Sequence, residues 1–166
     1  MIVGILSDTH DRLPLIDEAV KKLNEMNVEL VLHAGDYISP FVKDSLKNLK
    51  APLIGVFGNN DGDRTLLKKK FAEFGADIRG RFAFVVADGL RIALLHGDET
   101  ELIRSLLELE SYDVLVSGHT HVPKTYRKGQ TLVINPGEAS GILTGKATIS
   151  ILDTESLEVQ TLQLNV

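Results

Sequence analysis

The 166-residue sequence contains no cysteine and no tryptophan, and only 5% of its residues are aromatic. The lack of cysteine excludes disulfide scaffolds, thiol nucleophiles and zinc–thiolate sites, although it leaves the redox compartment open. Any metal site must therefore use His, Asp, Glu or Asn. With so few aromatic residues, the core has to consist of Leu, Ile, Val and Ala, which suits an α/β sandwich. The length favours one domain rather than two.

The sequence also lacks an apolar run near the roughly 20 residues that cross a bilayer. Its first apolar segment, Ile2 to Leu6, reaches Ser7 too soon for a signal peptide. We therefore expect a cytoplasmic protein that does not enter a membrane. The 18 Lys and Arg against 23 Asp and Glu give a net charge of −5. This charge disfavours nonspecific nucleic-acid binding but allows a local positive site.

Strand and helix patterns alternate in the first half of the chain. The predicted strands are residues 2–6, 30–32 and 53–57, and the predicted helices are residues 14–27, 39–49 and 64–74. Pro14 suits the first turn of the first helix, and Ser39 is a candidate cap of the second. The alternation predicts β-α-β units and a mostly parallel sheet.

The second half of the chain indicates antiparallel pairing. Residues 82–86 and 91–95 flank Asp88-Gly89, which is a hairpin turn signal. The other predicted elements are a helix around residues 102–107 and strands at residues 114–116, 131–134, 147–152 and 159–164. We therefore expect two sheets, one in each half of the chain.

Polar side chains directly follow most of the predicted strands. Loops at the carboxyl ends of strands are where α/β folds assemble their sites, because the sheet holds several such loops at one edge. Four of the five histidines belong to this set. Its members are Asp8, His10, Asp36, Asn59, His96, His119 and His121.

These residue types form a coherent set of metal ligands. Neutral imidazoles, carboxylate oxygens and an amide oxygen suit Mn, Fe, Co, Ni or Zn. Seven ligands are too many for one tetrahedral site, but they fit two ions about 3.5 to 4 Å apart that share a carboxylate. Asp36 is the expected bridge, and His33 is expected to be a buried, hydrogen-bonded neighbour that helps to orient it. Two divalent ions with Asp8 and Asp36 leave a local surplus of positive charge, which attracts phosphate.

Each element taken alone also has an ordinary structural explanation. Asp8-x-His10, Gly35-Asp36 and residues 58–62 all use residues that are common in turns. His119-Thr120-His121 is more specific, because two imidazoles two residues apart rarely serve a core. The joint occurrence of these elements at strand ends favours the metal site.

Three other features are set aside. Residues 141–147 resemble a P-loop, but three residues separate the glycines where four are required, and Ala147 stands where Ser or Thr must reach Mg²⁺. Nucleotide binding by that route is therefore rejected. Arg64 and Lys124 are interpreted as solvated surface residues rather than phosphate contacts.

The ligand pattern resembles the calcineurin-like metallophosphoesterase superfamily. The motifs that carry the resemblance are Asp8-x-His10, Gly35-Asp36, Gly58-Asn59-x-Asp61, His96-Gly97 and Gly118-His119-x-His121. The short length and Asn135-Pro136-Gly137 are similar to the subfamily of small phosphodiesterases that includes vacuolar sorting protein 29. The resemblance implies a four-layer α-β-β-α sandwich, with two mixed sheets flanked by helices, as a single metallophosphoesterase domain over residues 1–166.

The resemblance also implies the ligand sets and the chemistry. Asp8, His10, Asp36 and His121 would hold one ion, and Asp36, Asn59, His96 and His119 the other. The expected ions are Mn²⁺, with Ni²⁺, Co²⁺, Fe²⁺ or Zn²⁺ as alternatives. A metal-bridging hydroxide would attack phosphorus in line, with Asp36, Asn59, Asn60 and His96 as catalytic residues. The expected partners are a small phosphodiester or phosphate-ester substrate and, in a homodimer, a second copy of the chain.

The sequence departs from the family pattern at two positions. Asn60 stands where the family commonly has a His that protonates the leaving group, and an amide cannot act as an acid. This favours phosphodiesters or activated esters over alkyl phosphomonoesters. Asp98 follows His96-Gly97 where many small members have a second His. It alters substrate preference or adds a carboxylate near the metals, or else it forms a turn or caps the next helix.

Two other functions compete with the phosphodiesterase. The first is a non-catalytic or weakly catalytic scaffold of the same fold that acts through a protein surface, and the complete ligand set argues against it. The second is a metal-dependent amide hydrolase with similar ligands. The order of the ligands and the Gly-Asn-x-Asp element fit a phosphoesterase better.

Overall fold

Two β-sheets pack face to face, and each is covered by helices on its outer side. The computed structural model describes residues 1–165. The elements in chain order are β1 (Ile2–Leu6), α1 (Leu13–Glu25), β2 (Leu30–His33), a 3-10 helix (Pro40–Val42), α2 (Lys43–Leu46), β3 (Leu53–Gly55), α3 (Arg64–Ala72), β4 (Asp77–Ile78), β5 (Phe82–Ala87), β6 (Leu90–Leu95), α4 (Thr100–Leu109), β7 (Val114–Val116), β8 (Lys124–Lys128), β9 (Thr131–Asn135), β10 (Thr148–Asp153) and β11 (Val159–Gln163). The predicted two-sheet α/β sandwich is confirmed.

The first sheet has the strand order β11-β10-β1-β2-β3-β4. β1 to β4 are parallel, as their β-α-β pattern predicts, while β10 runs antiparallel to β1. The expectation of one sheet in each half was therefore wrong, because β10 and β11 return to the sheet of the first half. β1 is buried, so the backbone groups on the edge that does not face β2 also need hydrogen-bond partners. β10 supplies these partners.

The second sheet has the strand order β5-β6-β7-β9-β8. β5 and β6 form the predicted hairpin, and its turn residues Asp88 and Gly89 have φ of 52° and 82°, as a type I′ turn requires. The sequence did not predict β8 or the two-residue β4. All five residues of β8 are exposed, so the strand has no apolar alternation to reveal it.

Local chemistry accounts for the helix boundaries. Pro14 lies in the first turn of α1, where its missing N–H costs nothing. Ser39 accepts a hydrogen bond from the N–H of Phe41 as predicted. The second helix is shorter than expected, because a 3-10 turn precedes an α2 that ends at Leu46.

The core lies in three layers that fix the positions of the strands. One apolar layer packs the first sheet against α1 to α3, a second fills the space between the sheets, and a third packs α4 on the second sheet. Among residues 1–165, no helix combines the length and the apolar character needed to span a bilayer. The packing of the two sheets brings together the loops that follow β1, β2, β3, β6 and β7.

Candidate metal centre

The predicted ligands lie in five loops that follow strands of both sheets. β1 is followed by Asp8 and His10, β2 by Asp36, β3 by Asn59, β6 by His96, and β7 by His119 and His121. Hydrogen bonds join the loops of the two sheets. The N–H of His119 donates to Asp8 Oδ2 at 3.1 Å, and His96 Nδ1 donates to the carbonyl of Ala34 at 2.8 Å. The two halves of the chain therefore contribute to one site.

Asp8, His10 and His121 form the first group of candidate ligands. One ligand atom from each lies within 4.8 Å of the others. The oxygen Oδ1 of Asp8 is 3.4 Å from His121 Nε2 and 3.6 Å from His10 Nε2. These distances are longer than ordinary hydrogen bonds and fit neighbouring ligands of one cation.

Asp36 lies between this group and a second one. Its Oδ2 is 3.5 Å from His10 Nε2 and 3.5 Å from His96 Nε2. A carboxylate oxygen placed equally between imidazoles of two loops suits a ligand shared by two ions. The second group also contains Asp8, whose carboxylate lies within 4.8 Å of the ligand atoms of Asp36 and His96. The sequence assigned Asp8 to the first group alone.

Asn59 and His119 form the outer part of the site. Asn59 Oδ1 lies 3.1 Å from His119 Nδ1, and the His119 ring lies edge-on to His96 with 5.1 Å between centroids. Asn59 is exposed and His119 is half-buried, whereas Asp36 and His96 are buried. The site is thus open on one side, as a catalytic metal site must be for substrate to enter.

Backbone strain is concentrated at the predicted ligands. Among residues 1–165, eleven non-glycine residues have positive φ, and five of them are predicted ligands. They are Asp8 (54°), His10 (41°), Asp36 (60°), His119 (66°) and His121 (62°). The left-handed conformation costs an L-residue roughly 1 to 2 kcal/mol, and such strain clusters at functional sites. The conformations of these loops are therefore determined by the directions in which the ligand side chains must point, at a cost in backbone energy.

Buried polar atoms without partners test whether the site fits a cation. In the described part of the chain, five buried side-chain N or O atoms have no hydrogen-bond partner. Three belong to predicted ligands: Asp8 Oδ1, His10 Nε2 and His96 Nε2. An unpaired buried polar atom is costly, so three of them facing one another need a further group between them. A divalent cation meets that need, and the donor set fits it.

The electrostatics of the first group keep the Asp8 carboxylate ionised. Burial raises the pKa of Asp8, but contacts with His10 and Ser7 and the charges of His96 and His121 outweigh burial, and its net pKa lies below the ordinary value. The Asp8 carboxylate in turn raises the pKa of His10. An ionised Asp8 is the form that ligates metals.

Asp61 joins the two loops that carry Asp36 and Asn59. Its carboxylate accepts hydrogen bonds from the N–H groups of Asp36 (3.0 Å), Tyr37 (2.8 Å), Ile38 (2.9 Å) and Gly58 (2.7 Å). Burial raises the pKa of Asp61, although these donors oppose the shift. The sequence placed Asp61 in the motif without a role, and the structure shows that it fixes the Asp36 loop.

His33 is buried and hydrogen-bonded, as the sequence predicts. Its Nδ1 accepts the N–H of Gly35 at 3.0 Å, so the proton lies on Nε2, which is 3.2 Å from Thr9 Oγ1. Thr9 Oγ1 donates to the carbonyl of Asp36 at 3.4 Å. His33 therefore reaches Asp36 through Thr9 and Gly35 rather than by direct contact.

Glu138 is a buried carboxylate that the sequence analysis did not identify. It lies directly after Asn135-Pro136-Gly137, and its Oε2 is 2.7 Å from His121 Nδ1. Burial raises the pKa of Glu138, but hydrogen bonds from His121 and Thr144 outweigh burial and lower the pKa to about 2. The sequence marked this segment only by Asn-Pro-Gly and by the rejected P-loop pattern of residues 141–147, and neither showed that the loop reaches His121.

Asn60 contacts the predicted bridging carboxylate. Its side-chain Nδ2 donates to Asp36 Oδ2 at 2.7 Å, and its N–H donates to Asp36 Oδ1 at 2.9 Å. The amide thus holds Asp36 in place, and it brings no acid to the site.

Asp98 forms an ion pair at the edge of the site loops. Its Oδ2 accepts a hydrogen bond from Arg81 Nη2 at 2.6 Å, and Arg81 also bonds Glu99. Burial raises the pKa of Asp98, but Arg81 lowers it below the ordinary value overall. The N-cap of α4 is Glu99 rather than Asp98, so the capping explanation was wrong. Asp98 is also absent from both ligand groups.

The two basic residues that the sequence set aside have structural contacts. Arg64 donates to the carbonyls of Gly58 and Asp61 and thereby closes the loop after β3. The Nζ of Lys124 lies 5.0 Å from the centre of the Tyr126 ring. Neither contact involves a predicted ligand.

The fold and the cluster of His, Asp and Asn side chains together define an α/β protein with a candidate metal site at its strand ends. The chain belongs to the calcineurin-like phosphoesterase superfamily, whose domain model matches residues 1–157. A phosphodiesterase from Methanocaldococcus jannaschii is 42% identical over 165 residues, which cover 99% of each chain.

Solved structures show the same relationship. One described as a novel archaeal phosphodiesterase has a TM-score of 0.95 and 41% identity, and covers 99% of this chain and 100% of its own. Vps29 from Chaetomium thermophilum has a TM-score of 0.73 and 19% identity, covering 100% and 97%. The likeness to Vps29 concerns the fold alone.

Proposed function

We propose that the chain is a metal-dependent phosphodiesterase. The observation that carries the proposal is the position of Asp36 Oδ2, which lies 3.5 Å from both His10 Nε2 and His96 Nε2 among buried atoms that lack partners. The full-length similarity to a phosphodiesterase supports the same reaction class. In this proposal residues 1–166 form one metallophosphoesterase domain.

Two divalent ions would be held by the seven predicted ligands. Asp8, His10, Asp36 and His121 would bind one, and Asp36, Asn59, His96 and His119 the other. Mn²⁺ is the proposed ion, and the mixed N and O donors also accept Ni²⁺, Co²⁺, Fe²⁺ or Zn²⁺. When bound, such ions neutralise the phosphate and lower the pKa of water, which makes it a nucleophile at neutral pH.

The side chains of this protein hold and orient the reacting groups. His96 donates its Nδ1 proton to the carbonyl of Ala34, so Nε2, which lies 3.5 Å from Asp36 Oδ2, is the nitrogen that would bind an ion. Asn60 fixes the Asp36 carboxylate through two hydrogen bonds. Because Asn60 supplies no proton to the departing oxygen, the site favours diesters and other esters with acidic leaving groups.

The proposal includes further expectations about partners, location and substrate. The net charge of −5 leads us to expect no strong nonspecific nucleic-acid binding. A cytoplasmic location and a homodimer are also proposed from the sequence. The substrate is a small phosphodiester or phosphate ester that enters at the Asn59 and His119 side.

Metal titration with two model substrates tests the proposal. Mn²⁺ added to chelator-treated protein is expected to restore hydrolysis of bis-p-nitrophenyl phosphate more than hydrolysis of p-nitrophenyl phosphate. Tight Mn²⁺ binding without turnover of either ester would instead support a scaffold of this fold.

Asp36→Asn tests the shared ligand within the same assay. We expect a loss of at least about 100-fold, because even the loss of an outer hydrogen-bond partner of a metal ligand costs about 10- to 100-fold. The circular dichroism spectrum is expected to remain that of the folded protein. Asp17→Asn, which changes an exposed carboxylate on α1, is the matched control. Near wild-type turnover by Asp36→Asn would contradict the bridging role.

A further inference from the structure

The side chain of Glu138 is buried within a loop and accepts an unusually large number of hydrogen bonds. The carboxylate is fully buried, with 0% of the residue exposed. Six donor groups converge on it: His121 Nδ1, Ser140 Oγ, Thr144 Oγ1 and the N–H groups of Ile142, Leu143 and Thr144. Three of these are backbone N–H groups, which can only donate. Glu138 is therefore held as an acceptor on both oxygens.

The two oxygens of Glu138 share the N–H of Leu143, which lies 3.0 Å from Oε1 and 3.1 Å from Oε2, but their other partners differ. Oε1 accepts from Leu143 N–H at 3.0 Å and from Thr144 N–H at 2.6 Å, and so closes the loop on itself. Oε2 accepts from Ile142 N–H at 3.1 Å and lies 2.7 Å from His121 Nδ1. The same carboxylate therefore joins the loop of residues 138–146 to a predicted metal ligand.

We propose that Glu138 is the positioning residue of His121: it keeps the imidazole proton on Nδ1, so that Nε2 presents a lone pair beside Asp8. His121 Nε2 lies 3.4 Å from Asp8 Oδ1. An imidazole can ligate a cation only through an unprotonated nitrogen, and a carboxylate on the other nitrogen fixes the tautomer. The inference rests on the proposed metal site, although its tests do not depend on ester hydrolysis.

The tautomer of wild-type His121 is the direct test. Long-range ¹H–¹⁵N NMR of metal-free protein at pH 8 distinguishes the two ring nitrogens of each histidine. We expect Nδ1 of His121 to carry a proton that it donates to Glu138. A ring protonated on Nε2 with no proton on Nδ1 would overturn the proposal. This measurement needs no variant and no substrate.

Glu138→Gln is expected to reverse the tautomer. If the amide NH₂ took the Oε1 position, it would face the N–H groups of both Leu143 and Thr144. At the Oε2 position it opposes the N–H of Ile142, while the shared N–H of Leu143 keeps its 3.0 Å bond to Oε1. The hydroxyl of Ser140, which donates to Oε2, can rotate and accept from the NH₂ group instead. The NH₂ group therefore turns toward His121, whose Nδ1 becomes an acceptor and whose proton moves to Nε2.

Mn²⁺ affinity measured by calorimetry without substrate supplies the second readout. Glu138→Gln is expected to weaken binding by about 10- to 100-fold, the usual cost of losing the outer partner of a metal-bound histidine. Thr144→Val is the matched control, because it removes a donor to Oε1 and leaves the Oε2 contact with His121 intact. It is expected to lower loop stability while Mn²⁺ affinity stays within about threefold of wild type.

The outcomes separate this inference from the proposed function. If Glu138→Gln keeps Nδ1–H and wild-type Mn²⁺ affinity, Glu138 only folds its loop and the inference is wrong. If Thr144→Val weakens Mn²⁺ as much as Glu138→Gln, loop order rather than the tautomer is responsible. Should Glu138→Gln not fold, the wild-type tautomer alone decides. The protein could show the expected tautomer and Mn²⁺ affinities but hydrolyse neither ester. That result would support the role of Glu138 and contradict the proposed phosphodiesterase activity.

Discussion

His33 shows how a buried histidine makes stability depend on pH. Burial lowers the pKa of His33 from 6.5 to about 3, and both of its ring nitrogens are engaged, by Gly35 and Thr9. The unfolded chain binds a proton near pH 6.5, whereas the folded protein resists protonation down to about pH 3. Between these values the unfolded state holds more protons, so stability falls as the pH falls.

We expect the free energy of unfolding to lose up to about 1.4 kcal/mol per pH unit below pH 6 through His33 alone. His33→Asn removes this titration and keeps an oxygen that can accept from Gly35. Urea unfolding of metal-free wild type and variant at pH 5, 6, 7 and 8 measures the difference. The advantage of the wild type is expected to shrink toward pH 5. Parallel pH curves would show that His33 does not titrate on unfolding.

Asn60 provides a second test at the scale of one residue. Asn60→His places a group that can act as an acid near Asp36, and general acid catalysis matters most for poor leaving groups. We expect kcat for an alkyl phosphate to rise by up to about 100-fold relative to p-nitrophenyl phosphate. Asn60→Gln, which stays an amide, is expected to show no such rise. An unchanged ratio in Asn60→His would mean that Asn60 does not set the preference.

At the scale of elements, the loop after β3 approaches Asp36 so closely that it needs glycine. A Cβ at Gly58 would lie 2.7 Å from the nitrogen of Asp36 and 2.8 Å from its Cγ. Gly58→Ala is expected to destabilise the protein by about 1 to 3 kcal/mol and to weaken Mn²⁺ binding, because Asp36 must move. Thermal unfolding of metal-free protein and calorimetry with Mn²⁺ measure the two effects.

Gly62→Ala is the control in the same loop, since a Cβ there meets nothing within 4 Å. It is expected to leave stability unchanged or raise it by up to about 1 kcal/mol. Equal effects of the two substitutions would show that general loop flexibility, rather than contact with Asp36, is responsible.

Local signals explain which parts of the fold and site the sequence could predict. Asp8, Asp36 and His96 were identifiable because each follows an apolar run that ends at a sheet edge. Glu138 could not be identified in this way, because its partner His121 lies 17 residues away in a different loop. Neither loop has the periodic hydrophobic pattern that marks a helix or a strand. β8 was not predicted because all its residues are exposed, so it has no apolar pattern. The pairing of β10 with β1 was not predicted because it joins distant parts of the chain.

At the scale of the whole molecule, the C-terminal hairpin joins the two halves. β10 pairs with β1, with Ile2 opposite Asp153 and Ile5 opposite Ser150. Leu152 of β10 belongs to the core layer between the sheets. The last two strands of the first sheet therefore come after all the strands of the second sheet in the chain. This connection favours folding of residues 1–165 as one cooperative unit.

The core between the sheets makes that cooperativity testable. Leu94 is fully buried on β6 in the layer that contacts the first sheet. Leu94→Ala is expected to cost about 2 to 5 kcal/mol, and native-state hydrogen exchange of metal-free protein is expected to show the same loss in β2 and β7, although they lie in different sheets. Leu109→Ala, in which the leucine is 69% exposed, is the control and is expected to change stability by less than about 0.5 kcal/mol. If Leu94→Ala speeds exchange in β7 while β2 keeps its protection, the two sheets unfold separately and the chain is not a single domain.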